Sequence, residues 1–388
     1  MSVSQAMRWV VFPVRGLGKR VSVSQWIPLL ALVLCAVLFD SLSDGAFLTS
    51  RNLSNLSRQV CVNLTLAVGM TVVILTAGID LSVGSTLALA SMMAAISQLH
   101  WGLGDVGYLG ALGSVALALG VGGACGAVTG FAISRLNITP FIVTLGMMVI
   151  CRGLTLIVSN AQAVAPIGDA LGALSSSYLA PWPSFAVIAA IGCLLIVGQW
   201  YSVRQATVKS AVATKRSLLC IAGCALAVHA FCGYRGIPTM VFIATLCAGG
   251  VWVLLSFTRF GRFVYAIGGN REAAELSGVP VQRVLWLVYC LMGAFAGLGG
   301  ALDLARVNGA VPSAGELAEL DAIAAVVIGG TSLMGGAGGV AGTLMGVLLM
   351  GVLNNGMSLV GISEHYQKVF KGLVIVSAVY LDLRSKRK

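Results

Sequence analysis

The chain has 388 residues, 58% of them hydrophobic and 10% charged, with a mean hydropathy of +0.96. A soluble domain carries about 25% charged residues and needs polar surface over its core, so this composition excludes a water-soluble fold and makes lipid the solvent. The net charge of +11 does not point to nucleic acid, because the basic residues fall in short clusters between apolar runs, where they set membrane orientation.

Arg8, Arg15, Lys19 and Arg20 precede an apolar stretch from Trp26 to Phe39. Asp40-Ser41-Leu42-Ser43-Asp44 follows in place of a small-residue cleavage site, which predicts an uncleaved first span. A helix crosses the hydrocarbon in about 20 apolar residues. Spans are expected near 25–40, 56–78, 81–99, 107–133, 139–158, 183–200, 216–233, 237–257, 284–303, 319–333, 338–357 and 366–383. The fold class is therefore all-α and polytopic, with about 12 membrane segments.

Charge sets the orientation. With the N-terminus inside, 17 of the 24 basic residues lie on inner segments, including Arg135, Arg204, Lys209, Lys215, Arg216, Arg259, Arg262, Arg271 and Arg283. Outer segments then hold Asp40, Asp44, Asp105, Asp169, Asp303, Glu316, Glu319, Asp321 and Glu364. The positive-inside rule favours both termini in the cytoplasm. The expected organisation is a cytoplasmic segment 1–24, one transmembrane domain 25–383 and a cytoplasmic tail 384–388. The outer segment near 159–182 reads as a loop, and 201–215 as a basic connector.

Gly78-Ile79-Asp80-Leu81-Ser82-Val83-Gly84-Ser85 interrupts the apolar run after the second span. Ile328-Gly329-Gly330-Thr331-Ser332 and Gly335-Gly336-Ala337-Gly338-Gly339 do so near the C-terminus. Paired Gly-interrupted segments are expected of a transporter built from two related halves. The 49 glycines suit close helix packing in lipid. None of the ten cysteines forms a CxxC pair, and they read as small buried hydrophobes. His100, His229 and His365 are not in ligand spacing, so no metal or catalytic group is expected.

Between the spans ending near Phe257 and starting near Val284 lies a cytoplasmic stretch with Arg271-Glu272-Ala273-Ala274-Glu275-Leu276-Ser277-Gly278. Asn270 can cap a short helix there and Glu272 falls in its positive first turn. Ala273 and Ala274 would leave a slim face for a partner's groove, and Gly278 ends the helix without a Cβ penalty. Glu-Ala-Ala followed by three residues and a Gly resembles the coupling helix of ABC-importer permeases.

Further segments carry the same resemblance. They are Ala77–Ser85, Pro140-Phe141-Ile142-Val143-Thr144-Leu145-Gly146, Tyr265-Ala266-Ile267-Gly268-Gly269-Asn270, Glu319–Ala325 and Val327–Leu333. Together they resemble the ribose/xylose/galactose branch of ABC sugar-importer permeases, most closely its xylose members. The resemblance implies a ten-span core with a helix pair inserted at 165–235 and a coupling loop at 258–283. It implies two copies of the chain, an ATP-binding subunit docked on Asn270, Arg271, Glu272, Ala273, Ala274 and Gly278, and a periplasmic sugar-binding protein, all at the cell inner membrane. D-xylose is the expected sugar, with ribose, galactose or arabinose as alternatives.

No G-x-x-x-x-G-K-[ST] occurs, so ATP hydrolysis is assigned to a partner and no cofactor is expected. Charged groups within the membrane are costly and mark function. Asp80 can cap the third span or line a gate, and Arg152 can form an ion pair or hold carbonyls inside the bundle. Asp321 reads as an outer N-cap. Asn63, Thr65, Thr144, Asn354 and Asn355 could line a path for a neutral sugar. An ion-coupled transporter remains a rival, with Asp80 as its carboxylate; a membrane enzyme lacks any clustered catalytic groups.

Overall fold

The computed structural model describes residues 27–204 and 210–386. The expected segment 1–24, Lys209, Arg387 and Lys388 lie outside the described residues. Fifteen α-helices are described: α1 Ile27–Leu42, α2 Ser50–Leu75, α3 Val83–Leu99, α4 Gly107–Ser134, α5 Pro140–Val158, α6 Asp169–Ser176, α7 Pro181–Arg204, α8 Ser210–Cys232, α9 Thr239–Phe257, α10 Arg259–Gly269, α11 Arg271–Leu276, α12 Val281–Val307, α13 Ala318–Ile328, α14 Val340–Leu359 and α15 Glu364–Lys386. Among the described residues, strand is confined to a two-residue ladder, β1 Tyr178–Leu179 against β2 Ile237–Pro238.

Eight of these helices (α2, α4, α5, α7, α8, α9, α12 and α14) are long and apolar enough to cross a membrane. Leu29–Leu42 and Val83–Leu99 are shorter apolar helices. The expected segment at 319–333 contracts to α13, an eleven-residue helix about 17 Å long, so it reaches only partway across. The segment 159–182 is more than a loop, since it contains α6 and β1.

Helix α2 is the axis of the bundle. Every residue from Leu64 to Leu75 is buried, which in a helix hydrophobic all round means enclosure by other helices. It packs against α9, α12, α13 and α14. Helices α4 and α12 cross closely. A Cβ on Gly122 or Gly126 would overlap the backbone carbonyl of Gly293 or Tyr289. Small residues four apart on one face are what lets two backbones meet in lipid.

Helices α7 and α8 form a hairpin that meets the bundle through α8 and α2. Its ends are closed by the β1–β2 ladder and by Ser184, whose hydroxyl donates to Leu179 O (2.7 Å) and accepts from Ile237 N–H (2.9 Å). Of the ten cysteines, Cys61 and Cys151 are fully buried, Cys193 is exposed on α7, and the rest are half-buried. Burial was expected of all ten; Cys193 departs from it because α7 packs mainly on α8 among the described residues.

Candidate functional site

The stretch between α9 and α12 folds as two short helices outside the long apolar ones. The hydroxyl of Thr258 caps α10 by accepting from Gly261 N–H at 3.2 Å. Gly261, Val264, Ile267 and Gly268 face inward, spaced as one helical stripe. Asn270 Oδ1 accepts from Ala273 N–H at 3.0 Å, which caps α11, and Glu272 lies in its first turn. Gly278 has φ +80, a left-handed turn that suits glycine, and its N–H donates to Glu275 O at 2.9 Å. Asn270, Arg271, Glu272 and Ala273 are exposed, whereas Ala274 is turned into the core. The slim face expected of both alanines is therefore Ala273 alone. Beside it Leu276 is 90% exposed.

This cap-to-cap unit rests on the second Gly-interrupted segment and on the foot of α2. Gly336 N–H donates to Leu75 O at the foot of α2 (3.0 Å), and the Tyr265 hydroxyl donates to Gly338 O (2.9 Å). Burial pushes the Tyr265 phenol above its ordinary range, so it keeps its proton and acts as donor. The first interrupted segment also meets the 308–317 segment that precedes α13. Gly84, in the first turn of α3, approaches Gly315 so closely that a Cβ would overlap the Gly315 carbonyl.

Asp80 lies in the turn before α3 and is buried. Its Oδ1 accepts from Ser82 N–H (2.8 Å) and from the Ser82 hydroxyl (2.6 Å). It therefore braces the turn into α3, while Ser82 occupies the N-cap position and makes no side-chain cap bond. The Tyr289 hydroxyl is buried without a hydrogen-bond partner and faces Gly78. Arg152, on α5, donates from Nη1 to Pro312 O (2.5 Å) and Ala314 O (2.9 Å), the carbonyl contact rather than the ion pair of the two expected alternatives. Asp321 is not an N-cap. Leu317 occupies that position, and Asp321 Oδ2 pairs with Lys371 Nζ of α15 at 2.8 Å.

The polar residues proposed for a path do not converge on one point. Asn355 Oδ1 accepts from Asn52 Nδ2 (2.9 Å) at the head of α2. Asn354 is buried beside it in sequence, with Oδ1 unpartnered. Thr144 is buried on α5 and donates to Phe141 O (3.4 Å). Thr65 is buried and donates back to Cys61 O (2.9 Å), and Asn63 is half-buried. Helix α2 is about 39 Å long, so the Asn355 contact and the foot of α2 are at opposite ends of it. Groups missed from the sequence are Tyr289 and the Thr71–Thr343 pair, whose hydroxyls are 2.7 Å apart. A polar residue inside an apolar run was the available signal.

The family described as branched-chain amino acid transport system / permease component matches residues 52–379. The xylose transport system permease protein XylH of Escherichia coli (strain K12) is 38% identical over 380 residues, which cover 95% of this chain and 94% of the relative. The ribose import permease protein RbsC of the same strain is 38% identical over 370 residues, covering 94% and 97%. RbsC of Bacillus subtilis (strain 168) is 38% identical over 357 residues, covering 92% and 91%. No solved structure matches the chain.

Proposed function

Because the chain belongs to the branched-chain amino acid transport system / permease component family, we propose that it is the membrane-spanning permease subunit of an ATP-driven monosaccharide importer, with D-xylose as its first candidate substrate. The observation that carries this is likeness over nearly the whole chain to permeases of both xylose and ribose systems. The equal identity to the ribose permease makes D-ribose the second reading. The capped helix α11, with Leu276 and Ala273 outward, supports a docking element for an ATP-binding partner.

In this reading two copies of the chain line a path, two ATP-binding subunits dock on the 270–278 helices, and a periplasmic sugar-binding protein delivers the sugar. The helices α10 and α11 and both termini then face the cytoplasm, in the orientation the basic clusters favour. Closure of the ATPases draws the two α11 helices together and reopens the path on the other side. The chain itself breaks no bond.

The test is reconstitution in liposomes with the ATP-binding subunit and binding protein that co-purify with the chain. Uptake of labelled D-xylose, D-ribose, D-galactose and L-arabinose is measured with ATP inside. ATP-dependent uptake led by D-xylose is expected. Uptake by the chain alone under a pH gradient would instead establish an ion-coupled transporter. Bulky replacements at Ala273 or Gly278 should abolish uptake while sugar capture by the binding protein persists.

A further inference from the structure

Helix α11 is six residues long and contacts the rest of the chain mainly through α10 and α12. A push on it needs a defined route into the membrane. The contacts of α10 supply one. At its C-terminal end, a Cβ on Gly268 would overlap Leu75 O and come within 2.5 Å of Gly336 N. Gly335 and Gly336, at φ +82 and +71, lie flat against Gly268, Gly269 and Ala77. Three backbones thus meet with no side chain between them: the end of α10, the foot of α2, and the segment joining α13 to α14. Two hydrogen bonds lock the contact, from Gly336 N–H to Leu75 O and from the Tyr265 hydroxyl to Gly338 O.

The partners of this joint lie at or beyond the ends of their own helices. The chain leaves helical geometry between Leu75 and Val83, and again between Ile328 and Val340. Close-packed backbone transmits displacement with little loss, because no flexible side chain is available to absorb it. We propose that Tyr265 and Gly268 are positioning residues that join α11 to the 329–339 segment and the foot of α2, so that movement of α11 shifts both interrupted segments together. This rests on the permease reading above. It locates the output of the coupling helix at the Gly-rich segment rather than at α12, the helix that follows α11 in sequence.

The experiment uses the co-purified complex in liposomes and measures ATP hydrolysis and uptake of labelled D-xylose and D-ribose in parallel. Tyr265→Phe removes the bond to Gly338 without changing the ring. Gly268→Ala inserts a methyl into the joint, and Gly269→Ala, where a Cβ meets nothing within 4 Å, is the control. Tyr265→Phe should leave assembly and hydrolysis intact and lower uptake per ATP by about fivefold, the effect of one ordinary hydrogen bond. Gly268→Ala should uncouple further, and Gly269→Ala should match the wild type. Unchanged uptake per ATP in both test variants overturns the joint, as does a parallel fall of hydrolysis and uptake, which would place Tyr265 in docking or folding. A wild-type complex that hydrolyses ATP without taking up sugar overturns the functional reading itself.

Discussion

The ammonium of Lys371 lies 2.8 Å from Oδ2 of Asp321, joining α15 to the short helix α13. A second pair, Lys368 with Glu316 at 3.1 Å, is more exposed and joins α15 to the segment before α13. The Lys371–Asp321 side chains are 23% and 11% exposed, and Asp321 Oδ1 has no hydrogen-bond partner among the described residues. A buried charge that loses its partner is far more costly than the pair itself is stabilising.

Lys371→Met should therefore destabilise the chain by about 3 kcal/mol, whereas Lys371→Met combined with Asp321→Leu should recover most of that loss. Thermal unfolding in detergent measures both. Equal melting temperatures for the single variant and the wild type would show that the pair is solvated. The Lys368–Glu316 pair should contribute less than about 1 kcal/mol, as exposed pairs do.

Arg152 holds two carbonyls of the 308–317 segment from a different helix. Hydrogen bonds from a charged donor are worth about 1.5–3 kcal/mol. Arg152→Ala should accelerate amide hydrogen exchange across 308–317 while leaving α7 and α8 unchanged, and Arg152→Lys should restore part of the protection. Uniform exchange across the chain in Arg152→Ala would refute a local clamp.

Gly84 and Gly120 offer a paired test of close approach. A Cβ on Gly84 would overlap the Gly315 carbonyl and come within 2.6 Å of Glu319 Oε2, whereas at Gly120 it meets nothing within 4 Å. Gly84→Ala should cost about 1–3 kcal/mol through overpacking. Gly120→Ala should be neutral or stabilising by up to about 1 kcal/mol through helix propensity. Melting temperatures in the reverse order would disprove the contact between Gly84 and the segment before α13.

Thr71 and Thr343 share a buried hydrogen bond of 2.7 Å between α2 and α14. Thr71→Val and Thr343→Val keep the shape and remove the hydroxyls. A double-mutant cycle on unfolding should give a coupling of about 1 kcal/mol, and additive losses would show that the pair is not formed.

Much of the fold is legible in the sequence. Apolar runs located the helices because a span in lipid must satisfy its backbone within itself, so length and hydropathy suffice to find it. The caps of α11 were legible for a related reason. Asn270 and Gly278 act on backbone groups within three or four residues, so the whole interaction lies inside one short stretch. Asp321 shows the limit of that local reasoning. Its place ahead of an apolar run suggested a cap, but its partner is Lys371, fifty residues along the chain.

The sequence by itself thus determined that the chain lives in lipid, that its helices alternate with basic clusters, and that a short capped helix lies between α9 and α12. Only the tertiary structure decided that Ala274 faces inward, that Gly84 meets Gly315, and that Tyr265 and Gly268 join the Gly-rich segment to the foot of α2. The physical reason is range. Hydropathy and capping act between neighbours in the chain, whereas an approach of two bare backbones depends on how distant helices pack, and glycine in a sequence does not name the carbonyl it will meet.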